Sequence, residues 1–143
     1  MGRRLFVMVN RVVNAVIAWR KPSKFRGADV LLLTTTGRKT GKPRTTPVLY
    51  LEEPGRWIAV ASNGGANWEP GWWLNLKTGS TGTVQLRGTS TVVTGHEITG
   101  AERDRLWAVL NEKVFDYASY QAKVDRQIAV VALVPVKDQP AAG

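Results

Sequence analysis

The alternation of apolar and polar positions changes character near residue 27. From residue 5 to 19 the run LFVMVNRVVNAVIAW sets Asn10, Arg11 and Asn14 within a broad apolar arc, the pattern of a single helix with a narrow polar stripe. This run is shorter than the roughly 20 apolar residues that span a bilayer, and Arg11 interrupts it. Beyond Gly27 the pattern is that of strands. Ala28–Thr36 is a branched, apolar run, Gly37–Lys42 is a loop, and Arg44–Glu53 returns as a second strand. Pro54-Gly55 turns the chain into a third, Arg56–Ser62, with Glu52-Glu53 read as solvated beside that turn. The passage Asn63–Lys77 is rich in glycine and tryptophan, with a short helix expected from about Pro70. Val84–Arg87 and Ser90–Ile98 form a hairpin pattern around Gly88. Thr99-Gly100-Ala101-Glu102 has the form of a capping box, so a helix is expected from there to about Lys113, with Leu106, Trp107 and Leu110 inward. Phe115–Arg126 reads as helical or irregular, and Ile128–Val136 as a buried strand.

Five or six strands joined mostly as hairpins, with a few short helices between them, predict a mainly β, α+β molecule built on a small antiparallel barrel. The expected organisation is a basic amphipathic helix over 1–26, a barrel over 27–137 and a loose tail over 138–143. One chain of 143 residues suffices for one such core.

Composition removes several chemistries. There is no cysteine, which excludes disulfides, thiolate nucleophiles and cysteine metal sites, and makes a reducing cytoplasm the natural compartment. His96 is the single histidine, and its place beside Glu97 at a strand end reads as solvated, so no histidine-rich metal site is expected. The net charge of +9 is concentrated at one end: seven of the 20 basic residues fall within 1–26 with no acidic one, leaving thirteen to face all 11 acidic residues. A membrane surface fits such a segment at least as well as nucleic acid. The segment's other readings are a helix packed on the domain or on a dimer mate, and a secretory signal, against which stands the sequence KPSKFRG that follows.

Three constellations carry candidate chemistry. In TTTGRKTGKPR (34–44), Arg38, Lys39, Lys42 and Arg44 place four cations on a glycine-containing turn, which suits a phosphate or carboxylate; the same residues also suit a merely solvated turn. Between Ala61 and Leu76, Ser62 ends a strand, Gly64-Gly65 permits close approach of backbone, and Trp68, Trp72 and Trp73 follow. A planar ring could lie there, or the tryptophans could simply be core. Tyr117 and Tyr120 share one helix face, as pocket hydroxyls or as packing.

Taken in this order, LLLTTTGRKTGKPRTTPVLY (31–50), IAVASNGGANWEPGWWLNLK (58–77) and YASYQAKVDRQIAVVALV (117–134) resemble the deazaflavin-dependent nitroreductases, a branch of the flavin/deazaflavin oxidoreductases found chiefly in actinobacteria. The resemblance implies a split β-barrel that binds reduced coenzyme F420 in a groove and passes hydride to an apolar acceptor such as a quinone, enone or nitroaromatic. By position it implies that Arg38, Lys39, Thr40 and Arg44 meet the phosphate and polyglutamate tail. Thr45, Thr46, Pro47, Val48 and Leu49 would line the groove, and Val60, Ala61, Ser62 and Asn63 would face the ring system. Gly71, Trp72, Trp73, Leu74 and Asn75 would add further contacts. Tyr117 and Tyr120 match tyrosines that border the substrate pocket, Tyr117 also reaching the cofactor, and Ser62 matches a serine near the acceptor; these three are the candidate catalytic residues. Asn63 stands where many relatives carry lysine, and Val114, with Phe115 beside it, stands where better-known members carry an aromatic. A cofactor that itself moves hydride also accounts for a chain with no evident catalytic dyad. The expected partners are a small acceptor and no nucleic acid, with peripheral membrane contact through 1–26 and a homodimer as further expectations. Two rivals stay open: a relative binding flavin mononucleotide, FMN, and a non-enzymatic lipid or nucleic-acid binder.

Overall fold

A computed structural model describes residues 24–25 and 28–137. The helix expected over 5–19 lies outside the described residues, as does the tail over 138–143. The strands are β1 (Lys24–Phe25), β2 (Ala28–Thr36), β3 (Pro43–Glu53), β4 (Arg56–Val60), β5 (Gly82–Leu86), β6 (Thr89–Ile98) and β7 (Val130–Pro135). Their order is β1-β2-β3-β4-β7-β6-β5, and β5 pairs back onto β2, so six strands close an antiparallel barrel with β1 appended at β2. Closure leaves no long open edge. The split-barrel α+β architecture implied by the sequence is the one found.

The turns follow from local chemistry. β5 and β6 are joined by Arg87 and Gly88 at φ +50° and +80°, the two left-handed positions of a tight hairpin. Side chains then alternate across the sheet. Leu31, Leu33, Ala59, Val84, Val93 and Leu133 point into the barrel, where they are buried together. On β4 and β7 the alternate set, Ile58, Val60, Val130 and Ala132, faces outward and packs under the helix α2 (Gly100–Lys113) through Leu106 and Leu110. Those two strands read as continuously apolar because both of their faces are covered.

The helix α1 (Gly71–Leu76) plugs the barrel, sending Trp72, Trp73 and Leu76 into the inner cluster. Two glycines admit it. A Cβ at Gly95 would stand 3.1 Å from Leu76 Cβ and 3.4 Å from Trp73 Cζ3, and one at Gly82 would stand 3.2 Å from Leu76 Cδ2.

Two local expectations are corrected. The Thr99 side chain caps no N–H of α2; Glu102 instead pairs with Arg56 at 3.2 Å. Glu53 is not a solvated turn residue, for it receives Arg56 at 2.8 Å and Arg105 at 3.4 Å, tying the β3–β4 turn to α2. Trp107 is half-buried beside the fully buried Leu106 and Leu110, with the Arg103 guanidinium 4.9 Å from its ring centre.

Candidate functional site

The β2–β3 turn is held by its own backbone. The Gly37 N–H donates to the Lys42 carbonyl and the Gly41 N–H to the Gly37 carbonyl, both at 2.8 Å. Thr40 Oγ1 accepts the Lys42 N–H at 3.2 Å, so this threonine braces the turn as well as facing the cavity beside it. Arg38 is fastened from below. The buried Asn75 carboxamide accepts both the Arg38 backbone N–H and Nη1 at 3.1 Å, and its own Nδ2 donates to Thr35 Oγ1 at 2.9 Å. Among the described residues, none of Arg38, Lys39, Lys42 and Arg44 forms an ion pair. Four exposed cations without a carboxylate, three of them lining a cavity of about 460 Å³, are what an anion needs.

A second cavity of about 420 Å³ adjoins the first. The two share Thr46, Asn63, Pro70 and Trp72, and so form one groove with a cationic lobe and an aromatic lobe. The aromatic lobe is walled by Thr46–Leu49 of β3, Val60 at the end of β4, Ser62, Asn63 and Gly64 of the following turn, and Phe115, Tyr117 and Tyr120. The last two belong to α3 (Tyr117–Gln121), whose N-terminus Asp116 caps by accepting the Ser119 N–H at 3.2 Å. Phe115 lies between the two tyrosines, its ring centre 5.5 Å from that of Tyr117 and 5.2 Å from that of Tyr120. Tyr117 is 3% exposed, and burial, with a smaller contribution from Tyr120, raises its pKa well above that of an ordinary phenol. Tyr120 is half-buried and lies flat against Gly65, where a Cβ would meet its ring at 3.0 Å.

Most residues singled out in the sequence converge on this groove: Arg38, Lys39, Thr40, Arg44, Thr45, Thr46, Asn63, Gly71, Trp72 and Asn75 on the cationic lobe, and Pro47, Val48, Leu49, Val60, Ser62, Tyr117 and Tyr120 on the aromatic lobe. Lys42 and Trp68, singled out with them, are exposed and line neither lobe, and three residues assigned to the site from the sequence do not line it either. Ala61 is fully buried, its N–H given to the Ala129 carbonyl and its own carbonyl taken by Arg126. Trp73 is 3% exposed and belongs to the barrel core, and Leu74 lies on α1 away from both lobes. Ala61 follows the end of β4 with its side chain in the barrel core, and α1 turns Trp73 into that same core while Trp72 and Asn75 reach the groove. Gly64, read in the sequence as a point of close backbone approach, lines the aromatic lobe, and Thr35, Gly37, Pro70 and Phe115 line the groove beyond the residues assigned to it from the sequence; the aromatic character of Phe115 was the available signal. Asn63 donates its Nδ2 to the Trp68 carbonyl at 3.0 Å. His96 is exposed and bonded to Thr94 Oγ1 at 2.9 Å, far from any role in the groove's lining.

Comparison with known proteins adds to this geometry. The sequence model of the F420H(2)-dependent quinone reductase family matches residues 4–135. An F420H(2)-dependent quinone reductase of Mycobacterium tuberculosis is 35% identical over 133 residues, 91% of this chain and 87% of that protein. A solved structure described as an F420-H2 dependent reductase is 39% identical, with a TM-score of 0.65 over 73% of this chain and 92% of its own. Another, described as a domain-swapped dimer, is 33% identical, with a TM-score of 0.67 over 91% of this chain and 96% of its own.

Proposed function

Because the chain belongs to the F420H(2)-dependent quinone reductase family, an oxidoreductase family that uses reduced coenzyme F420, we propose that the two-lobed groove is where it holds that cofactor against its acceptor. The observation that carries the reading is the groove's polarity: at one end three lining cations, Arg38, Lys39 and Arg44, without an ion pair among the described residues, and at the other an aromatic, largely apolar wall. Such a groove matches a ligand with an anionic tail and a planar head. Its two cavities, about 460 and 420 Å³, are in the range of small-molecule sites. FMN is the poorer fit, because its single phosphate would use little of the cationic lobe.

Reduced F420, when bound, supplies the hydride. The chain's own residues then have three tasks. Arg38, Lys39 and Arg44 hold the tail by charge, with Asn75 keeping Arg38 in place. Trp72, which lines both lobes, and Pro47 to Leu49 fix the plane of the head and exclude water from it. Reduction of a quinone takes one hydride and one proton, and the half-buried Tyr120 hydroxyl is the candidate proton donor, with Ser62 across the lobe as the alternative. Tyr117, deeper and more costly to ionise, serves as wall. An apolar lobe of this kind also suits enones and nitroaromatics.

Two wider readings accompany this one. The likeness to a protein described as a domain-swapped dimer supports a homodimer. The seven cations and no acid within 1–26 support contact with an anionic membrane surface from the cytoplasmic side. The direct test of the site is titration with oxidised F420, FMN and flavin adenine dinucleotide, read by quenching of tryptophan fluorescence. F420 should bind at least tenfold more tightly than either flavin, since the lobe adds several charge-assisted contacts to the tail. Tighter binding of FMN would refute the assignment.

A further inference from the structure

The turn that floors the aromatic lobe is gripped from behind by one side chain. Arg126 Nη1 donates to the Ala61 carbonyl at 3.1 Å, Nη2 to the Ser62 and Ala66 carbonyls at 3.1 and 3.0 Å, and Nε to Ala66 at 3.3 Å. Arg126 is half-buried and forms no ion pair among the described residues. A guanidinium taken partly out of water without a carboxylate is unusual unless its donors are needed elsewhere. Here the bonds it makes all go to one short stretch of backbone, from Ala61 to Ala66.

The consequence lies on the other side of that backbone. In a planar trans peptide the N–H points opposite to the C=O. Fixing the Ala61 and Ser62 carbonyls on Arg126 therefore turns the N–H groups of Ser62 and Asn63 away from it. Neither N–H donates to any described group, while both residues line the aromatic lobe. Ser62 is right-handed (φ −77°, ψ −28°), and Asn63 and Gly64 are left-handed (φ +50° and +62°). A right-handed residue followed by a left-handed one gathers successive N–H groups into a concave nest that accepts electronegative atoms. Asparagine enters that left-handed region more readily than most residues, and the guanidinium bonds flank it on both sides, at Ser62 and at Ala66. The positive charge also polarises the two peptides and strengthens the outward N–H groups as donors.

We propose that Arg126 is a positioning residue: by clamping the Ala61 and Ser62 carbonyls it aims the Ser62 and Asn63 N–H groups into the groove, as a donor pair for a carbonyl oxygen of the bound ligand. That oxygen belongs either to the cofactor's ring system or to the quinone. The inference rests on the groove being the F420 and quinone site, as proposed above.

The test uses the full chain with Arg126→Ala and Arg126→Lys, oxidised F420 as binding probe and a naphthoquinone as acceptor. Wild type is titrated first; a wild type that binds no F420 overturns the groove assignment itself, and this inference with it. Given wild-type binding, both variants should lose roughly 10- to 100-fold in F420 affinity or in quinone kcat/KM, the scale of a misplacement near 1 Å. Lysine should not restore function, because a point ammonium cannot bridge three carbonyls. Millimolar methylguanidinium should restore the Ala variant, and methylammonium should not. A loss in F420 affinity assigns the donor pair to the cofactor. A loss in quinone kinetics with F420 affinity intact assigns it to the acceptor. Wild-type binding and kinetics in the Lys variant would overturn the proposal, as would an Ala variant whose defect follows its ligand-free Tm and ignores methylguanidinium. Should the Ala variant fail to fold, the Lys variant decides alone.

Discussion

Tyr117 and Tyr120 stand three residues apart on one short helix, yet their surroundings give them different chemistry. Tyr117 is 3% exposed, and its raised pKa comes first from burial. Tyr120 is half-buried and faces the lobe over Gly65. Tyr120→Phe should therefore lower quinone turnover by roughly tenfold, allowing for rescue by water, with F420 affinity unchanged. Tyr117→Phe should leave turnover within about threefold, and steady-state kinetics on the pair would reverse the assignment if the larger loss fell on Tyr117. The raised pKa also fixes a sign for stability. Above an unfolded-state pKa near 10 the unfolded chain gives up this proton while the folded chain keeps it, so stability falls as pH rises through that range. Thermal melts between pH 8 and 11 should show a shallower fall in Tyr117→Phe than in wild type; identical slopes would mean the burial has no thermodynamic effect. On the opposite lobe, Lys39→Ala and Arg44→Ala remove charges that are exposed. Each should cost about 1–2 kcal/mol of F420 binding, discounted from a buried contact for solvent screening, which is roughly a 5- to 30-fold weaker Kd. The loss should shrink toward nothing in about 1 M salt, where the screening length is near 3 Å. Dissociation constants equal to wild type at low salt would remove the tail from this loop.

At the scale of elements, α1 and the barrel are fitted through Gly95 and Gly82. Gly95→Val would force a branched side chain against Leu76 and Trp73, at a cost of about 1–3 kcal/mol, typical of an overpacked core. A lowered Tm with weaker F420 binding is expected, since Trp72 sits on the same helix; an unchanged Tm would show that α1 is more loosely seated than its contacts suggest. The strands themselves were legible in the sequence. Ala28–Thr36 is found with the bounds expected of it, and Pro43–Glu53 with one residue added, because branched runs between glycine- and proline-bearing turns have few other folds open to them. What the one-dimensional pattern could not carry was partnership between distant elements. Nothing local shows that Glu102 answers Arg56 instead of capping its own helix, or that of two core tryptophans Trp72 also lines the groove and Trp73 does not. Arg126 was missed for the same reason: its carbonyl partners lie about 60 residues earlier in the chain, and an isolated arginine in a polar segment reads as solvated. The cationic loop was the most legible part of the site, because its charges, from Arg38 to Arg44, lie close together in one short turn of the sequence.

Across the whole molecule, charge and function separate. The globular body is close to balanced, while 1–26 holds seven cations and no acid. A chain beginning at Ser23 should keep F420 affinity and lose binding to anionic vesicles in a sedimentation assay; retained vesicle binding would place the membrane-facing surface elsewhere. The proposed homodimer is open to analytical ultracentrifugation, where a monomer at micromolar concentration would refute it. The predictions on the site rest on one claim, that this chain passes hydride from reduced F420, held in the two-lobed groove, to a quinone. The most direct measurement is anaerobic stopped-flow oxidation of reduced F420 by a naphthoquinone, followed by absorbance, with wild type and a Lys39→Ala/Arg44→Ala double variant side by side. Wild type should oxidise reduced F420 with one quinol formed per F420, and the double variant should show a raised apparent KM for reduced F420 that high salt brings closer to wild type. No oxidation above the protein-free rate, or equal rates with reduced FMN, would contradict the account.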